Sequence, residues 1–248
     1  MQAADAVTIK QRPLTGAAAI AFAIVFNIPY TILSMIYDYP DILRRPAGEA
    51  LDKFAGGGAV LIFTWHGFAL AALALVPMAI ALSLTPDRVA RKPGLAIGAA
   101  IAGSLAGLAQ AIGLWRWVFV VPGLARTHAD AATSPESRTA SERAFDLLNQ
   151  FGGVAIGEHI GQLLTALFVV MLAALQWTEH KRITAGIGFV AALTIAIGTG
   201  EGLSIALGQS GEMFSLATIV GFLGLTVWLI ATGIGLTRAK AVAVQIAK

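Results

Sequence analysis

The sequence predicts an all-α integral membrane bundle of six transmembrane helices, on three observations. Of its 248 residues, 57% are hydrophobic and only 12% charged, about half the charged share of an ordinary soluble domain. Mostly apolar stretches of 18 residues or more recur at about 13–37, 57–83, 94–124, 147–176, 184–206 and 213–236, each long enough to cross about 30 Å of hydrocarbon as a helix. These stretches are continuous and rich in Ala, Leu and Gly, where a β-barrel would need short alternating strands.

The first span follows Lys10 and Arg12. It contains Asn27, Pro29 and Tyr30 and has no small-residue cleavage site, so it reads as a retained helix and not a secretory signal. Before span two, residues 38–56 carry "PAGEALDKFAGGG", enough for an amphipathic turn or two. The short links "TPDRVARKP" and "TEHKR" make spans two and three, and four and five, antiparallel neighbours. Span three holds Gly103 and Gly107, and span four Gly153, Gly157 and Gly161, a four-residue spacing that lets helix backbones approach closely. Ahead of span four, "SPESRTASERAFDLL" places Thr139 three residues before Glu142, a capping box that predicts a helix start there and a small lid. In span five, "GTGEG" around Glu201 weakens the helix near its end. There is no repeat, no low-complexity tract and no second domain, so residues 1–248 read as one transmembrane unit.

Six spans put both termini on one side. That side carries ten Lys and Arg against six in the opposite loops, so the positive-inside bias makes both termini cytoplasmic and the protein one of a plasma membrane. The absence of cysteine excludes disulfides, thiolate metal sites and a cysteine nucleophile. The net charge of +3 is spread over loops, which speaks against nucleic acid as a partner.

Ionisable groups inside spans cost about 2.5–3.5 kcal/mol each at mid-bilayer on insertion scales, so each needs a partner, water or a route to the surface. There are five: His66, Arg116, Glu158, His159 and Glu201. Counted along the helices at about 1.5 Å per residue, all five fall in the half of the membrane away from the termini. Four different spans contribute them, which predicts a polar pocket open to the outside, with Glu158 paired to Arg116 across the bundle. Glu158, Gln162 and Thr165 form one helical stripe with His159 about 100° around. Asn149 and Gln150 lie nearer the mouth, and Gln110 lies deeper than Arg116. The candidate ligand-binding residues are His66, Gln110, Arg116, Glu158, His159, Gln162 and Glu201. Against this stand plainer readings. Arg116 between Trp115 and Trp117 suits an aromatic belt with a snorkelling arginine. His66 suits a helix contact, Glu201 a group solvated near the headgroups, Glu158 a structural ion pair. His128 and His180 read as solvated surface residues.

"GLWRWVFVVPGLAR", residues 113–126, and "GGVAIGEHIGQLLTALF", residues 152–168, resemble the two signatures of a bacterial multipass membrane family known only as a domain of unknown function. The residues that carry the resemblance are Arg116, Trp117, Pro122 and the triplet Gly157, Glu158 and His159. It implies a bacterial plasma-membrane protein of six or seven helices and no particular activity.

Four functions compete. The first is a protein that binds or transports a small polar or amphipathic ligand, or a proton, with Arg116 neutralising an anionic group and Glu158 or His159 exchanging a proton; Glu158→Gln is then expected to abolish binding. The second is a redox or metal protein, with His66 and His159 as ligands to a b-type haem or, with Glu158 or Glu201, to a divalent metal; neither a haem-attachment motif nor HExxH is present. The third is an enzyme acting on a lipid or quinone with His159 or Glu158 as general base, although Ser104 and Ser204 carry no nucleophile signature. The fourth is an accessory subunit of a larger membrane complex, or a homo-oligomer, packed through its glycine faces.

Overall fold

The computed structural model describes residues 12–238; Lys10, Lys240 and Lys248, three of the cations counted for orientation, lie outside the described residues. Among the described residues there is no strand. Six helices long and apolar enough to cross a membrane follow one another, Pro13–Ile36, Ala47–Ser83, Pro93–Ala129, Pro135–Thr178, Arg182–Ala206 and Glu212–Arg238. In finer detail, α1 (Pro13–Ile36) leads through a 3₁₀ turn (Asp41–Arg44) to α2 (Ala47–Leu73) and α3 (Leu75–Ser83). A short α4 (Pro86–Arg91) precedes α5 (Pro93–Phe119) and α6 (Val121–Ala129). Then α7 (Pro135–Leu148) runs into a wide, π-type stretch (Asn149–Ile160) and α8 (Gly161–Thr178). The chain ends with α9 (Arg182–Gly198), α10 (Gly200–Ala206) and α11 (Glu212–Arg238).

The breaks inside spans have local causes. Pro77 has no N–H for the carbonyl of Leu73, and the helix parts at Ala74. Pro122 does the same to Val118, and the next break falls at Val120. Thr199, between Gly198 and Gly200, separates α9 from α10, as the glycine-rich stretch predicts. Gly58, with φ 57° and ψ −153°, breaks α2 in a conformation that side chains resist.

Both extramembrane expectations are too short. Between spans one and two, α2 begins at Ala47 and continues into the membrane. The helix before span four starts at Pro135, not at the Thr139 capping box, because Ser134 accepts the amide of Ser137 at 3.3 Å and Pro135 presets the first helical φ.

Each span packs against the next, and α11 closes the ring against α1. The end carrying Arg12 and Arg238 is termed proximal here and the other distal. The glycine spacing does what it predicts. A Cβ on Gly103 would sit 2.5 Å from Ala79 Cβ and 2.8 Å from Phe168, one on Gly107 2.8 Å from the Ala72 carbonyl, and one on Gly113 2.6 Å from Gly157 Cα. Two apolar clusters result. One, including Phe168, Leu172 and Trp228, fills the proximal and central bundle. The other, around Tyr37, Phe54, Trp65 and Trp117, lies under the distal helices, where the rings of Trp65 and Trp117 stack at 4.9 Å. At the proximal end, Arg88 donates to Glu179 (Nη2 to Oε2, 3.0 Å) and to the Leu82 carbonyl, tying the second connection to the fourth.

Leucine at Gly103 would have to part three helices, and overpacking of this kind costs about 1–3 kcal/mol. Gly103→Leu is therefore expected to lower the thermal unfolding midpoint in detergent without emptying the distal half. Burial raises the Glu179 carboxyl, but hydrogen bonds and charge from Arg88 and Lys181 outweigh it and hold the group below its ordinary value. A carboxyl depressed by folding contributes stability in full above its unfolded value and loses it as pH falls through the folded one. Glu179→Gln should thus be less stable than the parent at pH 7, and the gap should close as pH falls below the ordinary carboxyl value of 4.5; a gap of constant size across a pH series of melts would contradict the assignment.

Candidate functional site: a distal cavity with a buried arginine

The ring of spans is not filled at its distal half. A cavity of about 410 Å³ lies there, walled by every span and by the 38–46 loop. Its body is aromatic and amide-bearing, with Phe26, Asn27, Tyr30, Tyr39, Trp65, Phe68, Gln110, Trp117, Gln162 and Phe222. Its mouth is charged, with Asp41, Arg44, Glu158 and Glu201, and the buried Arg116 also lines the cavity. Five of the seven predicted ligand-binding residues, Gln110, Arg116, Glu158, Gln162 and Glu201, line this one space.

The pairing differs from expectation. Glu158 does not pair with Arg116. Its partner is Arg44 of the 3₁₀ turn, whose Nη2 lies 2.5 Å from Glu158 Oε2 and 3.0 Å from Glu201 Oε1. Two glutamates from different spans thus share one loop cation. The sequence held a signal for it: two carboxylates inside the membrane against one arginine require a second cation, and "DILRRP" is the nearest source in the connecting loops.

Arg116 is 7% exposed, so it is neither an interfacial snorkeller nor part of a belt, and Trp117 beside it is fully buried. Its guanidinium donates to the Gly113 carbonyl and, at 2.9 Å, to Asn149 Oδ1. Its Nε is buried with no partner. Among the described residues no carboxylate oxygen lies within 4.0 Å of it. Gly153 makes room for it, since a Cβ there would meet Arg116 Nη2 at 2.5 Å. Asn149 is fixed in turn by donating to the Leu43 carbonyl at 3.2 Å.

Span four reaches the cavity through its wide, π-type stretch, Asn149–Ile160, a form whose defining bond spans five residues. Three glycines and an asparagine make this stretch a poor α-helix, and Gln162 and Thr165 follow it in the regular α8. Glu158 and Gln162 face the cavity, while Thr165 lies behind it, accepting from Gln110 Nε2 at 2.8 Å. Gln162 Oε1 accepts from Thr218 at 3.4 Å.

The two histidines do not join the cavity lining. His159 Nδ1 donates to the Thr199 carbonyl at 3.0 Å, at the α9–α10 break, and its ring packs against Gly202. His66 is half-buried with Nδ1 unpartnered. Among the described residues no group of three His, Cys, Asp or Glu side chains could hold a metal ion, so the geometry offers the divalent-metal reading no assembled site. His128, expected in solvent, is buried between Asp52 (2.8 Å) and Glu142 (2.9 Å), where it joins α2, α6 and α7. His180 is exposed at the proximal turn.

Chemically, the site offers a buried positive charge with no carboxylate within 4.0 Å at the head of a largely apolar chamber, with a second arginine held by two acids at its rim. Comparison with curated proteins and with solved structures finds no match for the chain. A family model does match, over residues 14–233, and its description assigns no activity. With nearly all of its bundle inside that match, the chain belongs to the family described as Domain of unknown function DUF4386.

Proposed function

We propose that this multipass membrane protein binds a small ligand bearing an anionic group, with Arg116 as the seat of that group. The observation that carries the reading is the state of Arg116: a permanently charged side chain, almost wholly buried, facing a ligand-sized cavity and lacking a carboxylate within 4.0 Å. Leaving a buried charge without compensation is expensive, and an acceptor from a ligand would complete it. The volume falls in the range of about 300–1,000 Å³ that small-molecule sites occupy. Gln110, Gln162 and Asn27 supply orienting amides on the walls. In this reading the distal end faces outside a bacterial plasma membrane and the termini face the cytoplasm, as the charge count favours.

Arg44 sets the affinity. An incoming anion competes with Glu158 and Glu201 for the rim, so neutralising one acid releases Arg44 to the ligand. This reverses the direction expected from an Arg116–Glu158 pair.

Trp65 and Trp117 line the cavity, so their fluorescence reports occupancy. A charge-assisted hydrogen bond is worth about 1.5–3 kcal/mol, or roughly 10- to 100-fold in Kd. Titrated with a panel of alkyl carboxylates and phosphates and their neutral analogues, the purified protein should respond to the anions alone. Arg116→Gln should weaken that response by such a factor, and an unchanged Kd would remove the reading. Glu158→Gln should tighten binding of the same anions several-fold; a loss would return Glu158 to the role of direct ligand.

A further inference from the structure

We infer that the bound species is an anionic amphiphile taken sideways from the membrane, its head at Arg116 and its chain between α1 and α11. This rests on the anion-binding reading above and names its ligand. At the proximal end the two helices touch backbone to backbone: a Cβ on Gly16 would lie 2.5 Å from the Gly233 carbonyl, and one on Gly233 2.6 Å from that of Gly16. Midway, Asn27 Nδ2 donates to Thr226 Oγ1 at 3.0 Å. Distal to that bond, Tyr30 of α1 and Ile219 and Leu223 of α11 line the cavity. Leu223 is 57% exposed on the outer surface of the bundle while also lining the cavity, so the chamber reaches the lipid-facing side there.

The two approaches to Arg116 differ in charge. From the aqueous side an anion passes Asp41, Glu158 and Glu201, with Arg44 already occupied by the two glutamates. From the lipid side the wall is Phe26, Tyr30, Ile219, Phe222 and Leu223, with no carboxylate. Like charge repels an anion at the first entrance, while the second buries an alkyl chain favourably. A free inorganic anion suits neither route, because it gains nothing from the apolar walls.

The test uses the full chain in phosphatidylcholine nanodiscs, read by tryptophan fluorescence, with dodecyl phosphate, inorganic phosphate and dodecanol as probes. Dodecyl phosphate should bind at least about tenfold more tightly than inorganic phosphate, dodecanol should not bind, and Arg116→Gln should abolish the difference. Leu223→Trp, which fills the cleft without touching the arginine, should weaken dodecyl phosphate about tenfold and leave inorganic phosphate unchanged. Should that variant fold poorly, Leu223→Cys serves instead, since the native chain has no cysteine: bulky thiol labelling after folding should have the same effect. Dodecyl phosphate binding that is indifferent to both Leu223 changes would reflect partition into lipid alone and would overturn the lateral route. Equal affinity for the two phosphates would also overturn it, leaving the anion site in place. If no probe binds in an Arg116-dependent way, both readings fall.

Discussion

Arg44 holds the distal half of this protein together. It comes from a four-residue turn, yet it binds carboxylates on spans four and five, elements more than a hundred residues away in sequence. Without it two glutamates would face each other at the edge of a low-dielectric chamber with no cation between them, a costly arrangement. With it the 38–46 loop is drawn over the cavity, and the loop's Leu43 carbonyl reaches Asn149, which in turn fixes Arg116. One turn of chain thus positions the whole rim. The three side chains retain between 13% and 31% exposure, so water screens the bridge and its worth lies below that of a dry ion pair.

Beneath that rim the sequence spends glycines in two different ways. Gly103, Gly107 and Gly113 bring backbones together, and a side chain at any of them meets a neighbouring helix. Gly153 instead vacates a space that the Arg116 guanidinium fills. Gly103, Gly107 and Gly153 all fit an i, i+4 pattern, which does not by itself tell the two uses apart. The same distinction separates the ends of the α1–α11 contact, closed by Gly16 and Gly233 and open beyond Thr226.

Much of this was legible beforehand. The six spans follow from length and hydropathy alone, since nothing else in the chain can satisfy its backbone in lipid. The gathering of Arg116, Glu158 and Glu201 follows from their lying in one half of the membrane, because polar groups at similar height in a bundle seek one another, and Gln110 and Gln162 line the same cavity. What depth cannot supply is azimuth. His66 and His159 share the height but turn away, His159 to a carbonyl that the GTGEG break presents. The identity of Glu158's partner was hidden for another reason: Arg44 lies in a loop, and loop geometry is set by contacts far along the chain and not by local pattern. The Thr139 capping box misled because Ser134–Pro135 offers an earlier and better start. His128 misled because an apparently solvated position lies between two carboxylates from other helices.

The wide stretch of span four joins these observations. It delivers Glu158 to the cavity and hands over to the regular α8, where Gln162 also lines the cavity and Thr165 lies behind it. The glycines that permit it also allow Gly157 to lie against Gly113, so span three comes close at the one level where Arg116 must enter the interior. Close packing and polar chamber are therefore products of the same residues. A substitution that straightened this stretch into a regular helix would be predicted to move Glu158 away from Arg44 and refill the space around Arg116 together, because neither arrangement has room to change alone.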